Sequence, residues 1–227
     1  MNFTVSKEVL DLGVNVAIVV IKGMKNDKEN EEFNYHKNKS LKQIKSNLSE
    51  DSIANDNILK GFWLLHEKIG KTSKKDMASP ENLLNMLLTN DSIPSINLIV
   101  DIYNFVSIRT HLALGAHDLD KIKGNVTLRL TTGTEYFLPI GYSKPKPISK
   151  GEYSYIDDNN DILCRMEVRQ VEKTKVTEDT TSCMYIIQGN ENTNNEQIKD
   201  AVNMLIDLTT YYCGGTAEVI YNNPLHF

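Results

Sequence analysis

Apolar residues change their spacing midway along this chain, and that change limits the folds open to it. Ile58, Leu59, Phe62, Trp63, Leu65, His66 and Ile69 form one helical stripe, and Ile96, Ile99, Val100, Tyr103, Val106 and Ser107 form another. From Asn125 the period becomes two, with Val126, Leu128 and Leu130 alternating against Thr127, Arg129 and Thr131 before a turn at Thr132-Gly133-Thr134. Helix returns at Glu196 to Cys213, closed by Gly214-Gly215, and a last strand is expected over Ala217 to Tyr221. Strand and helix intermixed with short connections predict an α/β (α+β) fold, a mixed sheet flanked by helices.

The remaining elements follow the same rules. Val14 to Ile21 is short, β-branched and flanked by glycines, as a buried strand should be. Lys28 to Ser49 carries only Leu41, Ile44 and Leu48 at helical spacing, so at most a weak helix is expected, with its first half as a loop. Ser79-Pro80-Glu81 is a helix start, with Ser79 as the capping oxygen, and a second start is expected at Ser95. Pro145 and Pro147 exclude the segment Pro139 to Lys150 from interior sheet, since proline cannot donate to a ladder. Tyr153 to Ile156 and Ile162 to Val168 flank a polar turn and form a hairpin.

At 227 residues one domain is the default, read as an N-terminal α/β extension (1–92), a core (93–189) and a C-terminal helix and strand (190–227). The longest apolar run, Val16 to Ile21, is far short of a bilayer span, and no basic signal region precedes it. Cys164, Cys183 and Cys213 are odd in number and widely spaced, which fits reduced thiols better than a disulfide framework or metal pair. A soluble, cytoplasmic protein is expected, with no membrane partner.

The net charge of −5 argues against broad binding to DNA or other nucleic acid by phosphate neutralisation alone. Between Lys22 and Lys75, however, 12 lysines face 8 acids, which is either a local basic face or a solvated helix surface. No phosphate-cradling glycine loop or nucleophile elbow is present, which disfavours ATP-dependent chemistry. Asp157-x-Asn159-x-Asp161 opens like a calcium loop but has Ile162 and Val168 where glycine and glutamate are needed, so a hairpin turn is expected. The five histidines, at 36, 66, 111, 117 and 226, lack ligand spacing, and neither metal nor cofactor is expected.

Val168 to Thr181 is a long polar stretch between two apolar strands, a solvent loop or a site. Within it Arg169, Gln170, Glu172 and Thr174 offer a fork donor, an amide, a carboxylate and a hydroxyl, a set suited to a ligand with an amine and hydroxyls. Asn97 and Asn104 add amides on a helix face otherwise made of isoleucine and valine; they either bind ligand or hold a loop.

Three runs in order, Ser95-Ile96-Asn97-Leu98-Ile99-Val100-Asp101-Ile102-Tyr103-Asn104-Phe105-Val106, then Leu112 to Ile122, then Lys175-Val176-Thr177-Glu178-Asp179-Thr180-Thr181, resemble the B3/B4 editing module of the phenylalanyl-tRNA synthetase beta subunit. The resemblance covers residues 93–189 and is closer still to free-standing B3/B4 proteins. It implies that fold, a tRNA partner, and hydrolysis of a wrongly attached amino acid, which in the parent family is tyrosine on the phenylalanine tRNA. Asn104 keeps the family asparagine, whereas Tyr103 stands where the synthetase has threonine and Gly115 where it has a histidine implicated in editing. His117 takes an aromatic position, and Arg169-Gln170-Val171-Glu172 replaces a glycine-rich segment, so the substrate is expected to differ from tyrosine. The free-standing relatives often carry this Arg-Gln-x-Glu-x-Thr pattern.

On this resemblance the chain is expected to be a stand-alone editing hydrolase with no charging activity. Glu172 is assigned to the ammonium or to water, Arg169 and Gln170 to the terminal adenosine or ester carbonyl, Asn104 and Thr174 to orientation, Asn97 to substrate binding, and His117 to a lesser base role. The alternative is a non-catalytic module that binds RNA or an amino-acid-like ligand.

Overall fold

A computed structural model describes residues 1–223; His226 lies outside them. The strands are β1 (Phe3–Val5), β2 (Asn15–Lys22), β3 (Ala113–Asp118), β4 (Val126–Leu130), β5 (Tyr153–Asp157), β6 (Ile162–Arg165), β7 (Arg169–Gln170), β8 (Ser182–Gly189) and β9 (Thr216–Asn223). The helices are α1 (Lys7–Asp11), α2 (Glu31–Ser46), α3 (Glu50–Asn55), α4 (Asn57–Lys68), α5 (Ser79–Asn90), α6 (Leu98–Thr110) and α7 (Asn195–Cys213).

Two sheets form where one was expected. One runs β1-β4-β5-β6-β7 and is mixed, because β1 lies parallel to β4; the other runs β3-β8-β2-β9 and is antiparallel. The second sheet divides the apolar side chains by the period-two rule. Ala17, Val19 and Ile21 of β2 join the core built with α6 and α7, whereas Val16 and Ile18 join the core shared with the first sheet. β2 can therefore be apolar from Val16 to Ile21, since both of its faces are covered.

α2 is a full helix where its first half was expected to be loop. Asn30 caps it by accepting from the Phe33 amide at 2.9 Å, and Phe33, Lys37 and Leu41, four residues apart, form its buried face. Lys37 is buried because its ammonium lies 2.8 Å from the Asp101 carboxylate of α6, an ion pair closed off from solvent. The helix starts also shift slightly. Ala78, with no side-chain bond, stands at the N-cap of α5, leaving Ser79 and Pro80 in its first turn. α6 is capped by Asn97, not started at Ser95, and the Ser95 hydroxyl bonds to Asp101.

Asp157 to Asp161 is a hairpin turn closed on itself, since Asp157 accepts from the Asn159 and Asp161 amides and Lys173 neutralises both carboxylates. Among the described residues no cluster of ligands could hold a metal, all three cysteines are free and buried, and no helix is long and apolar enough to cross a membrane. Of the lysines between 22 and 75, Lys25, Lys37, Lys45, Lys68 and Lys71 are paired with Asp27, Asp101, Asp91, Glu191 and Glu152.

Candidate functional site

The two sheets and α5 and α6 enclose a cavity of about 260 Å³. α6 supplies Tyr103 and Asn104, β3 supplies Gly115 and His117, β5 and β8 supply Tyr155 and Gln188, and the β6–β7 hairpin supplies Glu167, Arg169 and Gln170. Gly115 and His117 share a face of β3 because they are two residues apart. Gly115 lies opposite Ile186 and His117 opposite Met184 in the β8 ladder.

Four of the seven residues singled out from sequence, Asn104, His117, Arg169 and Gln170, line this cavity. Among the described residues neither the Asn104 amide nor the Arg169 guanidinium has a hydrogen-bond or ion-pair partner, so both are available to a ligand. Gln170 folds over Gly115 and shares a hydrogen bond with the Tyr103 phenol. His117 is fully buried; its Nδ1 lies 2.8 Å from the Thr174 hydroxyl and its Nε2 has no partner. Burial pushes the His117 imidazole down to about 3, so it is neutral at physiological pH and acts as a hydrogen-bonding group rather than a strong base.

The other three do not line it. Thr174 is buried behind His117 and orients that ring. Asn97 is structural: it caps α6 by accepting from the Val100 amide at 3.1 Å and donates to the Val176 carbonyl at 3.4 Å. Glu172 faces the outside, paired with Lys175 and accepting from the Gly141 amide at 3.4 Å, because it follows the inward-facing Val171 at the end of the hairpin. The polar run is thus neither plain loop nor plain site. Beyond Thr174 it becomes a clamp, with the Val176 and Thr177 carbonyls accepting from Asn97 and Asn26, and Thr180 donating to Asp118.

Glu167, His66, Tyr155 and Gln188 were not anticipated. Glu167 is almost wholly buried, and its Oε2 accepts from the Tyr153 hydroxyl at 2.6 Å and from Gln188 at 2.9 Å. Its Oε1 meets the His66 imidazole, and Gln188 in turn accepts from Tyr155 at 2.6 Å. Burial alone would lower the His66 value, but the Glu167 carboxylate beside it raises it above the ordinary range. Met166, just before Glu167, takes a left-handed φ of 50°, which costs a non-glycine residue about 1 kcal/mol. That turn aims Glu167 inward between two ladder strands. Glu167 sits one residue before the polar run, and His66 was counted into an apolar stripe; only their contact, 101 residues apart in sequence, marks them.

With this geometry in place, residues 66–214 match the family model described as the B3/4 domain. The chain belongs to the B3/4 domain family. Over 113 residues it is 30% identical to the phenylalanine–tRNA ligase beta subunit of Mycoplasma genitalium, covering 50% of this chain and 13% of that protein. The corresponding subunit of Mycoplasma pneumoniae is 29% identical over 119 residues, 52% of this chain and 14% of the relative. The B3/4 chain thus spans about one seventh of these relatives. Among solved structures it is similar to an N-terminal fragment of the phenylalanyl-tRNA synthetase beta subunit from Pyrococcus horikoshii. That likeness has a TM-score of 0.51 at 18% identity and covers 95% of this chain and 50% of the other, which establishes the shared fold.

Proposed function

We propose that this B3/4 protein is a stand-alone hydrolase that removes a wrongly attached amino acid from the 3′ end of a tRNA. The observation that carries the reading is the convergence of Asn104, His117, Arg169 and Gln170 on one cavity in a domain of this family. At about 260 Å³ the cavity falls just below the ~300–1,000 Å³ usual for pockets that engulf a whole ligand. It suits an amino-acid-sized group, with the nucleotide left outside against the exposed Arg169.

No nucleophile on the chain is needed. Burial pushes the Cys164 thiol in the wall up to about 12, which leaves it protonated and inert. Hydrolysis would instead depend on a bound water and on donors toward the oxygen on which charge develops. The Asn104 amide and the Gln170 amide are such donors, and so is His117 Nε2 in the tautomer where Thr174 donates to Nδ1.

Incubating the purified protein with a panel of mischarged tRNAs tests the proposal. Ester loss is expected for at least one member, with Asn104→Ala and His117→Ala each slowing it about 100-fold, the scale of losing one such donor. If no member is deacylated while aminoacyl-tRNA still binds, the chain is a binding module and the hydrolase reading falls.

A further inference from the structure

The cavity is electrically polarised. Among the described lining residues Glu167 is the one acid and Arg169 the one arginine or lysine, two residues apart on the same hairpin. Their positions differ, since Glu167 is buried and Arg169 exposed. A ligand that fits this arrangement carries positive charge at its inner end and negative charge at its outer end.

Glu167 is also incompletely used. An ionised carboxylate offers about four acceptor sites. Tyr153, Gln188 and His66 take three, which fixes the group in place and leaves one. The Tyr155–Gln188 bond settles which way the Gln188 amide points, so that its nitrogen faces Glu167. The left-handed turn at Met166 holds the side chain inward at a cost in backbone energy, the kind of local strain that persists where a site requires it.

We propose that Glu167 is the amine receptor of this cavity, taking the α-ammonium group of the ligand, with His66 as a positioning residue that fixes the carboxylate from behind. This rests on the reading that an aminoacyl group enters the cavity, and it adds what orients that group: ammonium inward on Glu167, phosphodiester outward on Arg169. A carboxylate at the inner end also discriminates against acyl groups without a free amine, because a hydroxyl there makes a weaker hydrogen bond to the remaining Glu167 acceptor site than a charged ammonium does.

The test uses 3′-deoxy-3′-(L-alanylamino)adenosine, a non-hydrolysable mimic of a charged tRNA end, the L-tyrosyl compound, and the lactoyl counterpart in which a hydroxyl replaces the amine with little change in size. Titration calorimetry on the full chain should show the lactoyl compound binding at least tenfold more weakly than the alanyl one. Glu167→Gln should bring the two within about twofold of each other, and His66→Asn should shrink the ratio without weakening the lactoyl compound. Binding of the aminoacyl compounds with no preference over the lactoyl form would overturn the role of Glu167 while leaving the cavity reading intact. If neither aminoacyl compound binds and no tRNA is deacylated, both fall together. If Glu167→Gln fails to fold, the ratio in His66→Asn tests the same carboxylate, and an unchanged ratio there would overturn its role.

Discussion

The Gln170 side chain occupies the space that a side chain at Gly115 would fill: a Cβ on Gly115 would lie 2.3 Å from Gln170 Nε2. Gly115 sits in regular strand without a positive φ, so a side chain there would be opposed by this contact and not by the backbone. Two of the places where the sequence is expected to depart from the synthetase pattern, Gly115 and the segment holding Gln170, thus touch each other.

Gly115→Ala should therefore displace Gln170 and break its bond to Tyr103, destabilising the fold by about 1–2 kcal/mol. In a Gln170→Ala background the same substitution should cost almost nothing. Urea denaturation of the two single variants and the double variant gives the coupling energy, and simple additivity would show that the contact is not formed.

The Lys37–Asp101 pair ties α2 to the helix that carries Tyr103 and Asn104. Asp101 also accepts from the Ile96 amide at 2.8 Å and from the Ser95 hydroxyl, so it holds the entrance to α6. Lys37→Met strands a buried carboxylate and should cost about 3–5 kcal/mol, whereas Lys37→Met combined with Asp101→Asn should recover much of that loss. Chemical denaturation measures both, and an equal loss in the double variant would mean that packing, not charge, dominates there.

The same lysine shows why part of the fold was hidden in the sequence. α4, α6 and α7 were legible because their buried faces are apolar and recur every three to four residues. α2 was not, because one of its buried positions is a lysine whose partner lies 64 residues away. The pairing of β1 with β4 was equally remote, three residues joined across more than 120 positions, and it is what makes the first sheet mixed. At the site, Asn104, Arg169 and Gln170 stood out as polar residues between apolar runs. Asn97 and Glu172 stood out for the same reason, yet one is a helix cap and the other a surface ion pair. Polarity in sequence marks a residue that needs a partner, and only the three-dimensional contacts show whether that partner is the chain, solvent or a ligand.

His117 should make the protein acid-sensitive well above the range of ordinary carboxylates. Its imidazole sits near 6.5 in the unfolded chain and at about 3 in the folded one, so below pH 6.5 the unfolded state binds a proton that the native state refuses. Stability is then lost by about 1.4 kcal/mol for each pH unit below 6.5 until the folded value is reached. Glu135 adds to the loss lower down: burial alone would raise it, but the Thr132 amide and Arg129 hold it at about 2, so its contribution disappears between 4.5 and 2. His66, raised by Glu167, works in the opposite sense, its stabilisation being present below 6.5 and lost as pH rises through its folded value. In the difference between wild type and His117→Gln the other groups cancel. Unfolding free energies at pH 6.5, 5.5 and 5.0 should show the variant losing less stability by about one proton's slope, and parallel curves would mean that the imidazole is not held neutral.

Arg169 and Glu172 both come from the polar run and were both assigned to the ligand, yet they should behave oppositely. Arg169 is at the cavity mouth without a partner, so Arg169→Ala removes a charge available only to the ligand and leaves the fold intact. Its effect should fall on KM, as expected for a group that holds the nucleic acid outside the reacting centre, and should shrink at high salt as phosphate contacts are screened. Glu172 is paired with Lys175 on the outer surface, and Glu172→Ala should leave deacylation within about twofold of wild type, because an exposed pair contributes little and the carboxylate that reaches the cavity is Glu167. Steady-state deacylation at two salt concentrations separates the two variants. A large loss of kcat in Glu172→Ala would mean that the hairpin refolds on binding to bring the outer carboxylate in, and would transfer the acidic role from Glu167 to Glu172.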